Sequence, residues 1–545
     1  MKGLIRFSLV AAACTSLVAC GADEADVIDT NGSNGTNLPG SQGKADASSE
    51  AVFLDFSWEG KLVTSACWNA ETQIENQALY TIGQLNGDNS VGRLDKLAVS
   101  DVRTTMEGGM CNVTYSARMP VAWGKKNDIP TTYELKLPLD VSTKGAEAFT
   151  EAYAHDCVDS GAHDVTAGIF WYYYRPERFN CKLDDASLAR MQVDVAPSPI
   201  ATTGKYPEYD KVWEDDTFRV VAVFGKYEDD ATKNDAGISA YNTFVSAAKK
   251  ALLPYKLATE PVDVKYNPGV DVPEVTFHGT MDDGRTVHVV AMLIDSVGSA
   301  DSKFWDRYES LTPDADFIVY NGHAGLGANI RKLASKGEWK TGQYAVVFMN
   351  GCDTYAYVDS ALFDAHAAVN SDDPEGTKYM DVISNALPSF FREMSDGTLA
   401  IMNAFIDYEN PQTYEQIFTQ IDKSEVVIVS GEHDNTFTPD GGTDPVDSWQ
   451  GLSEKGSVQK GEETRFETPK LAAGRYGVQL TGTGDADLYV RLGGEATLGN
   501  WDCRPYRNGT EEYCEVSLDT PTTIHVAVIG WEAQSEFELS IGAIE

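Results

Sequence analysis

Two short apolar runs constrain this chain more than any other stretch. The first reads Asp-Phe-Ile-Val-Tyr-Asn-Gly-His-Ala-Gly-Leu-Gly over 316–327, and the second Ala-Val-Val-Phe-Met-Asn-Gly-Cys-Asp-Thr-Tyr over 345–355. Each is too short and too uniformly apolar for an amphipathic helix, and reads as a strand buried on both faces of a parallel sheet. The segment 325–340 between them is long enough for a right-handed crossover. The runs end in Asn-Gly followed by His323 and Cys352, which places an imidazole and a sulfur at one carboxyl edge, where open α/β sheets bind their ligands. A thiol beside an imidazole is a nucleophile with its base. A strand end leading into a helix at Asp353-Thr354 would favour the thiolate. Backbone N–H groups of Cys352 and of Ala324 or Gly325 are the candidate oxyanion donors.

The N-terminus carries targeting information. Lys2 and Arg6 precede the apolar stretch Phe7 to Ala13, and residues 1–19 read as a signal peptide too short to span a bilayer. Leu17-Val18-Ala19-Cys20 resembles the bacterial lipobox, which would make Cys20 a lipidated anchor at the start of the mature chain. Residues 20–50 have almost no apolar side chains and read as a flexible tether. The chain has nine cysteines. Setting aside Cys14 and Cys20, export predicts pairing of Cys67, Cys111, Cys157 and Cys181 among themselves and of Cys503 with Cys514. Proximity favours Cys67–Cys111 and Cys157–Cys181, although four cysteines permit three pairings. Cys352 is then the odd one, and catalysis would explain a lone thiol. Net charge is −40, which disfavours nucleic acid as a partner and favours solubility.

The chain divides into several domains, with a fold class to match. Residues 51–200 read as an N-terminal disulfide-bonded β domain, with strands expected at Val52–Trp58, Asn112–Val121, Thr131–Leu139 and Ile169–Tyr174. Residues 215–435 alternate strand and helix signals and predict a mostly parallel α/β sheet with helices on both faces. There Phe218–Phe224 reads as a strand, Asp235–Leu252 as a helix, and Val275–Phe277 with Thr286–Ile294 as a hairpin. Met380–Met394 and Ala400–Phe405 read as helices, and Glu425–Ser430 as the last strand. Residues 456–545 carry evenly spaced strands and predict a β-sandwich.

Several further residues are candidates. His278, in His278-Gly279, rivals His323 as a base, although it leads into a hairpin turn. Asp229, Asp230 and Asp295 follow strands and could line a pocket selecting basic side chains, or be solvated loop acids. His433, Asp434, Asp440 and Asp444 sit in an acidic linker that could take a cation, and structural calcium is compatible with it; no other cofactor or metal is expected. The sequence lacks His-Glu-x-x-His, the Gly-x-x-x-x-Gly-Lys phosphate loop and Gly-x-Ser-x-Gly.

Two resemblances follow from these motifs. Asn321-Gly322-His323-Ala324-Gly325 and Asn350-Gly351-Cys352 resemble the caspase–legumain–gingipain superfamily of cysteine peptidases. That resemblance implies a caspase-like sheet over about 217–430 and a Cys352–His323 dyad hydrolysing protein or peptide substrates. Ala324 stands where that family usually has Gly. The alternative is a non-catalytic surface-binding lipoprotein with a degenerate core. Gly484-Asp485-Ala486-Asp487-Leu488-Tyr489-Val490-Arg491, with Asp502-Cys503-Arg504-Pro505-Tyr506, Asn508-Gly509 and Cys514, resembles the bacterial pre-peptidase C-terminal domain. That implies a module appended to exported peptidases, in a protein held at a membrane or cell surface through Cys20.

Overall fold

Short strands buried at every position, such as Phe317–Asn321 and Ala345–Asn350, need neighbours on both sides, and eight strands assemble into one sheet. The computed structural model describes residues 46–162, 165–198, 204–357, 360–431, 437, 439 and 451–544, with 473, 495 and 519–521 excepted. The strands of this sheet are β1 (Thr217–Gly225), β2 (Ala258–Glu260), β3 (Glu274–Thr280), β4 (Thr286–Ile294), β5 (Phe317–Asn321), β6 (Ala345–Asn350), β7 (Met380–Asn385) and β8 (Val427–Ser430). Their order is β8-β7-β6-β5-β1-β4-β3-β2. The five central neighbours β7, β6, β5, β1 and β4 run parallel, while β8 and β3 pair antiparallel at either side.

Alternation along the strands serves two faces. The principal helices are α1 (Ala236–Leu252), α2 (Ser302–Leu311), α3 (Ala328–Lys336) and α4 (Phe391–Ile406). On one face Phe218 and Phe317 pack on Phe405 of α4, and Phe224 packs on Tyr241 and Phe244 of α1. On the other, Val221, Val223, Ile318, Tyr320, Val347 and Met349 share a core with Phe304, Trp305, Ile330 and Leu333 of α2 and α3. Helix starts follow their caps: Asp235 accepts from Ile238 N at 2.9 Å, and Asp301 accepts from Phe304 N at 2.9 Å.

Upstream lies a six-stranded antiparallel sheet. Val52–Thr64 sits between Met110–Trp123 and Leu188–Pro197, Thr132–Pro138 flanks Leu188–Pro197, and Ser90–Gly92 and Ala98–Glu107 both pair with Met110–Trp123. Its apolar core is continuous with that of the parallel sheet, and the described residues between 46 and 431 form one compact unit. Disulfides join Cys67 to Cys111 and Cys157 to Cys181. The described residues 451–544 belong to a second unit. It consists of a four-stranded sheet (Leu452–Gln459, Gln534–Ile544, Gly474–Thr483, Glu512–Leu518) and a three-stranded one (Glu463–Leu471, Thr522–Gly530, Ala486–Leu492) around its own core. Cys503 is bonded to Cys514 there.

Three local expectations fail for identifiable reasons. Met380–Asn385 is a strand, not part of a helix, because its apolar run is buried on both faces between β6 and β8. The two helices expected around it reduce to α4 alone. Phe170–Tyr173 is a buried helical turn instead of a strand, since Phe170 and Tyr174 must both reach Tyr80, with ring centroids at 6.0 and 5.4 Å. The leader, Cys20 and the acidic-linker residues His433, Asp434, Asp440 and Asp444 lie outside the described residues. Among the described residues no helix is long and apolar enough to cross a membrane.

Phe405 is fully buried where α4 meets β1 and β5. Phe405→Ala is expected to cost about 3–5 kcal/mol, lost transfer energy plus a residual cavity, read as a lower urea midpoint at unchanged slope.

Candidate functional site

Register places the two motifs side by side. Asn321 pairs with Asn350 at the ends of β5 and β6. Their side chains continue the pairing, with Asn350 Nδ2 donating to Asn321 Oδ1 at 2.8 Å. Gly322 N then donates to Asn350 O at 3.2 Å. The two outgoing loops are so close that a Cβ on Gly351 would stand 2.7 Å from Gly322 O, which only glycine avoids.

His323 leaves β5 into a buried niche. Its Nε2 donates to the backbone oxygen of Tyr227 at 2.9 Å, and its ring packs on Tyr227 and Phe391 at 5.2 and 5.1 Å. Nδ1 is buried and unpartnered. Tyr320 Oη and Asn329 Nδ2 both donate to the His323 carbonyl, at 3.0 and 2.7 Å. Ala324 is buried, and Gly325, Leu326 and Gly327 follow with φ of 56°, 50° and 90°, a left-handed turn into α3.

Cys352 is 3 % exposed, with Sγ 3.6 Å from the Ser389 carbonyl oxygen. It is disulfide-bonded, and the other six described cysteines pair among themselves. This corrects the expectation of a lone thiol: a sulfur held in a disulfide is no thiolate nucleophile. Asp353 continues with φ of 52°, and the next helical turn is only Thr354–Tyr357. The helix start expected at Asp353-Thr354 is therefore too short to polarise the sulfur.

The other candidates do not complete a charged site. Asp229 and Asp230 are exposed, and Asp295 is held by Lys226 Nζ at 2.5 Å and by Asp230 N at 3.1 Å, so none lines a buried charged pocket. His278 stacks on His288 at 4.6 Å on β3. Four strand spacings, roughly 19 Å, separate β3 from β6, so His278 is no rival to His323. His366 is buried against Trp339 at 4.7 Å, and burial pushes its pKa down to about 4. Among the described residues no group of three His, Cys, Asp or Glu side chains is arranged to hold a metal ion.

Beneath the two loops runs a polar network that no sequence motif announced. Thr398 Oγ1 donates to Asn321 Oδ1 at 3.0 Å, and Ser389 Oγ donates to Asn350 Oδ1 at 3.2 Å. Glu425, just ahead of β8 and 2 % exposed, accepts from Phe390 N and Asn385 Nδ2, both at 3.1 Å. Burial pushes its carboxyl up to about 7. Asp353, fully buried, accepts from Asn86 Nδ2 at 2.8 Å. Burial raises it to about 6 against the opposing pull of Asn86 and the Arg175 guanidinium. The one available signal was an acid directly abutting an apolar run, as in Glu425-Val426-Val427.

With the geometry in place, comparison with known proteins bears on the C-terminal unit. Residues 465–530 match the family described as bacterial pre-peptidase C-terminal domain, so this unit carries such a domain. A zinc metalloprotease of Helicobacter pylori is 48% identical over 86 residues, covering 16% of this chain and 34% of that protein. The hemagglutinin/proteinase of Vibrio cholerae is 48% identical over 86 residues, 16% of this chain and 14% of that protein. Alkaline serine exoprotease A of Vibrio alginolyticus is 36% identical over 102 residues, 17% and 19% respectively. The chain thus spans about a third or less of the length of these relatives. A solution structure titled vEP C-ter 100 aligns over 17% of this chain and 94% of its own, with 34% identity and a TM-score of 0.15.

These findings correct the expectation of a cysteine endopeptidase working through a Cys352–His323 dyad. The relatives are named as zinc and serine proteases, none of them lends support to a caspase-like cysteine peptidase, and Cys352 is bridged. Nor do the described residues offer a zinc site in its place.

The buried carboxylates set a pH dependence. Both Glu425 and Asp353 bind protons more tightly folded than unfolded, so their contribution favours the folded state below about pH 4 and is lost as pH rises through 6 and 7. Glu425→Gln is expected to flatten urea-measured stability between pH 5 and 8 and to gain up to about 3 kcal/mol at pH 8. The unpartnered Asn385 Oδ1 can accept from the new amide.

Proposed function

We infer that this chain is an exported proteolytic enzyme acting on protein or peptide substrates. The observation that carries the reading is the C-terminal module, whose relatives are peptidases of more than one catalytic class. Five adjoining parallel strands with an antiparallel edge support reading the central sheet as caspase-like in architecture. Its carboxyl rim, where Asn321, His323, Asn350 and Ser389 converge on two touching loops, is where a substrate is expected to dock. The catalytic class is to be read by experiment. The charge of −40 directs the protein away from polyanionic partners.

The test is cleavage of labelled casein and of a random peptide library by the full chain, in parallel with a chelator, a sulfonyl fluoride or a thiol-alkylating reagent. Cleavage abolished by one reagent is expected and assigns the class. Absence of cleavage in every untreated arm overturns the reading and leaves a protein that binds without hydrolysing.

A further inference from the structure

One edge of the central sheet is closed by chain from far upstream. All four residues of β8 are buried, yet β8 is the last strand in the order. An uncovered edge strand is an open template for pairing. Its cover is Ala47, whose N–H donates to Val429 O at 3.1 Å and whose carbonyl accepts from Val429 N at 3.0 Å. Ser48 Oγ donates to Val427 O at 2.7 Å. This single-residue bridge is held by the side chain before it. Asp46 is fully buried, and its carboxylate accepts from Arg93 Nη1 at 3.2 Å and from Tyr355 Oη at 2.5 Å. Arg93, itself buried, also reaches Ser430 Oγ at 3.3 Å and Asp95 at 2.9 Å.

We propose that Arg93, Tyr355, Ser430 and the outer side of β8 form a docking site for an extended segment carrying a carboxylate, and that Asp46–Ser48 fills it in cis as a detachable strap. Two backbone hydrogen bonds to one residue make a short ladder, so recognition rests on the carboxylate meeting a buried guanidinium and phenol. Strand addition with one side chain read in a pocket is a recurrent mode of peptide capture. The strap begins at Asp46, the first of the described residues. Tyr355 lies three residues beyond Cys352, so docking of the strap also pins the turn that follows the rim. Departure of the strap exposes β8 and releases that turn.

The test uses the full chain. Ala47→Pro removes the bridging N–H, and Asp46→Asn removes the charge at constant shape, which keeps the question open to measurement should Ala47→Pro fail to fold. In either folded variant the amides of Val429 and Tyr355 are expected to exchange at least tenfold faster than in the wild type, with Val347 and Phe348 unchanged. A fluorescein-labelled peptide of residues 44–50, Lys-Ala-Asp-Ala-Ser-Ser-Glu, is expected to bind the variant and to bind the wild type, whose site is filled, at least tenfold more weakly. The same peptide carrying Asp46→Asn loses binding at least tenfold. Unchanged exchange, equal binding to wild type and variant, or no binding at millimolar peptide overturns the proposal.

Discussion

The hydrogen bond from Asn350 to Asn321, 2.8 Å long and wholly buried, is the contact on which the rim depends. Parallel strands end with unpaired backbone groups, and here two side-chain amides carry the pairing one step past the ladder. That step brings the two Gly-containing loops into van der Waals contact and leaves no room for a side chain at Gly351. Thr398 and Ser389 donate to the Asn321 and Asn350 amide oxygens, while Asn321 Nδ2 stays buried and unpartnered. In an interior of low dielectric such a chain is rigid when satisfied and costly when broken.

The upstream antiparallel sheet is part of this arrangement instead of a separate appendage. Its core merges with the helices and strands of the parallel sheet, and polar contacts cross between them. Asn86 meets Asp353, and Arg93 with Asp46 holds Tyr355. The loop leaving β6 is thus held from one side by its own sheet and from the other by residues hundreds of positions upstream. Removing either Arg93 or Asp46 would leave a buried charge uncompensated, the expensive kind of defect.

Much of this was legible in the chain. The runs 316–321 and 345–350 read as buried parallel strands, their Asn-Gly ends announced a common edge, and the segment between them folded as the single crossover helix its length required. The C-terminal module was equally plain, because its Asp-rich and Cys-bounded segments lie close together in sequence. What misled was the chemistry inferred from counting cysteines. An odd thiol in an exported chain suggests reactivity, but a count says nothing of which sulfur meets which, and Cys352 is bridged. Met380–Asn385 misled for a related reason, since a short apolar run is equally at home in a helix or in a strand buried on both faces.

The order of elements, the parallel pairing of the two motif strands and the presence of an appended β-module follow from local periodicity and spacing, which act between residues near in sequence. The protonation of Glu425 and Asp353, the bridging of Cys352, the seating of His323 on the Tyr227 carbonyl and the burial of Asp46 against Arg93 and Tyr355 were decided by tertiary structure alone. Each depends on desolvation and on partners from distant segments, and those quantities exist only once the chain has folded.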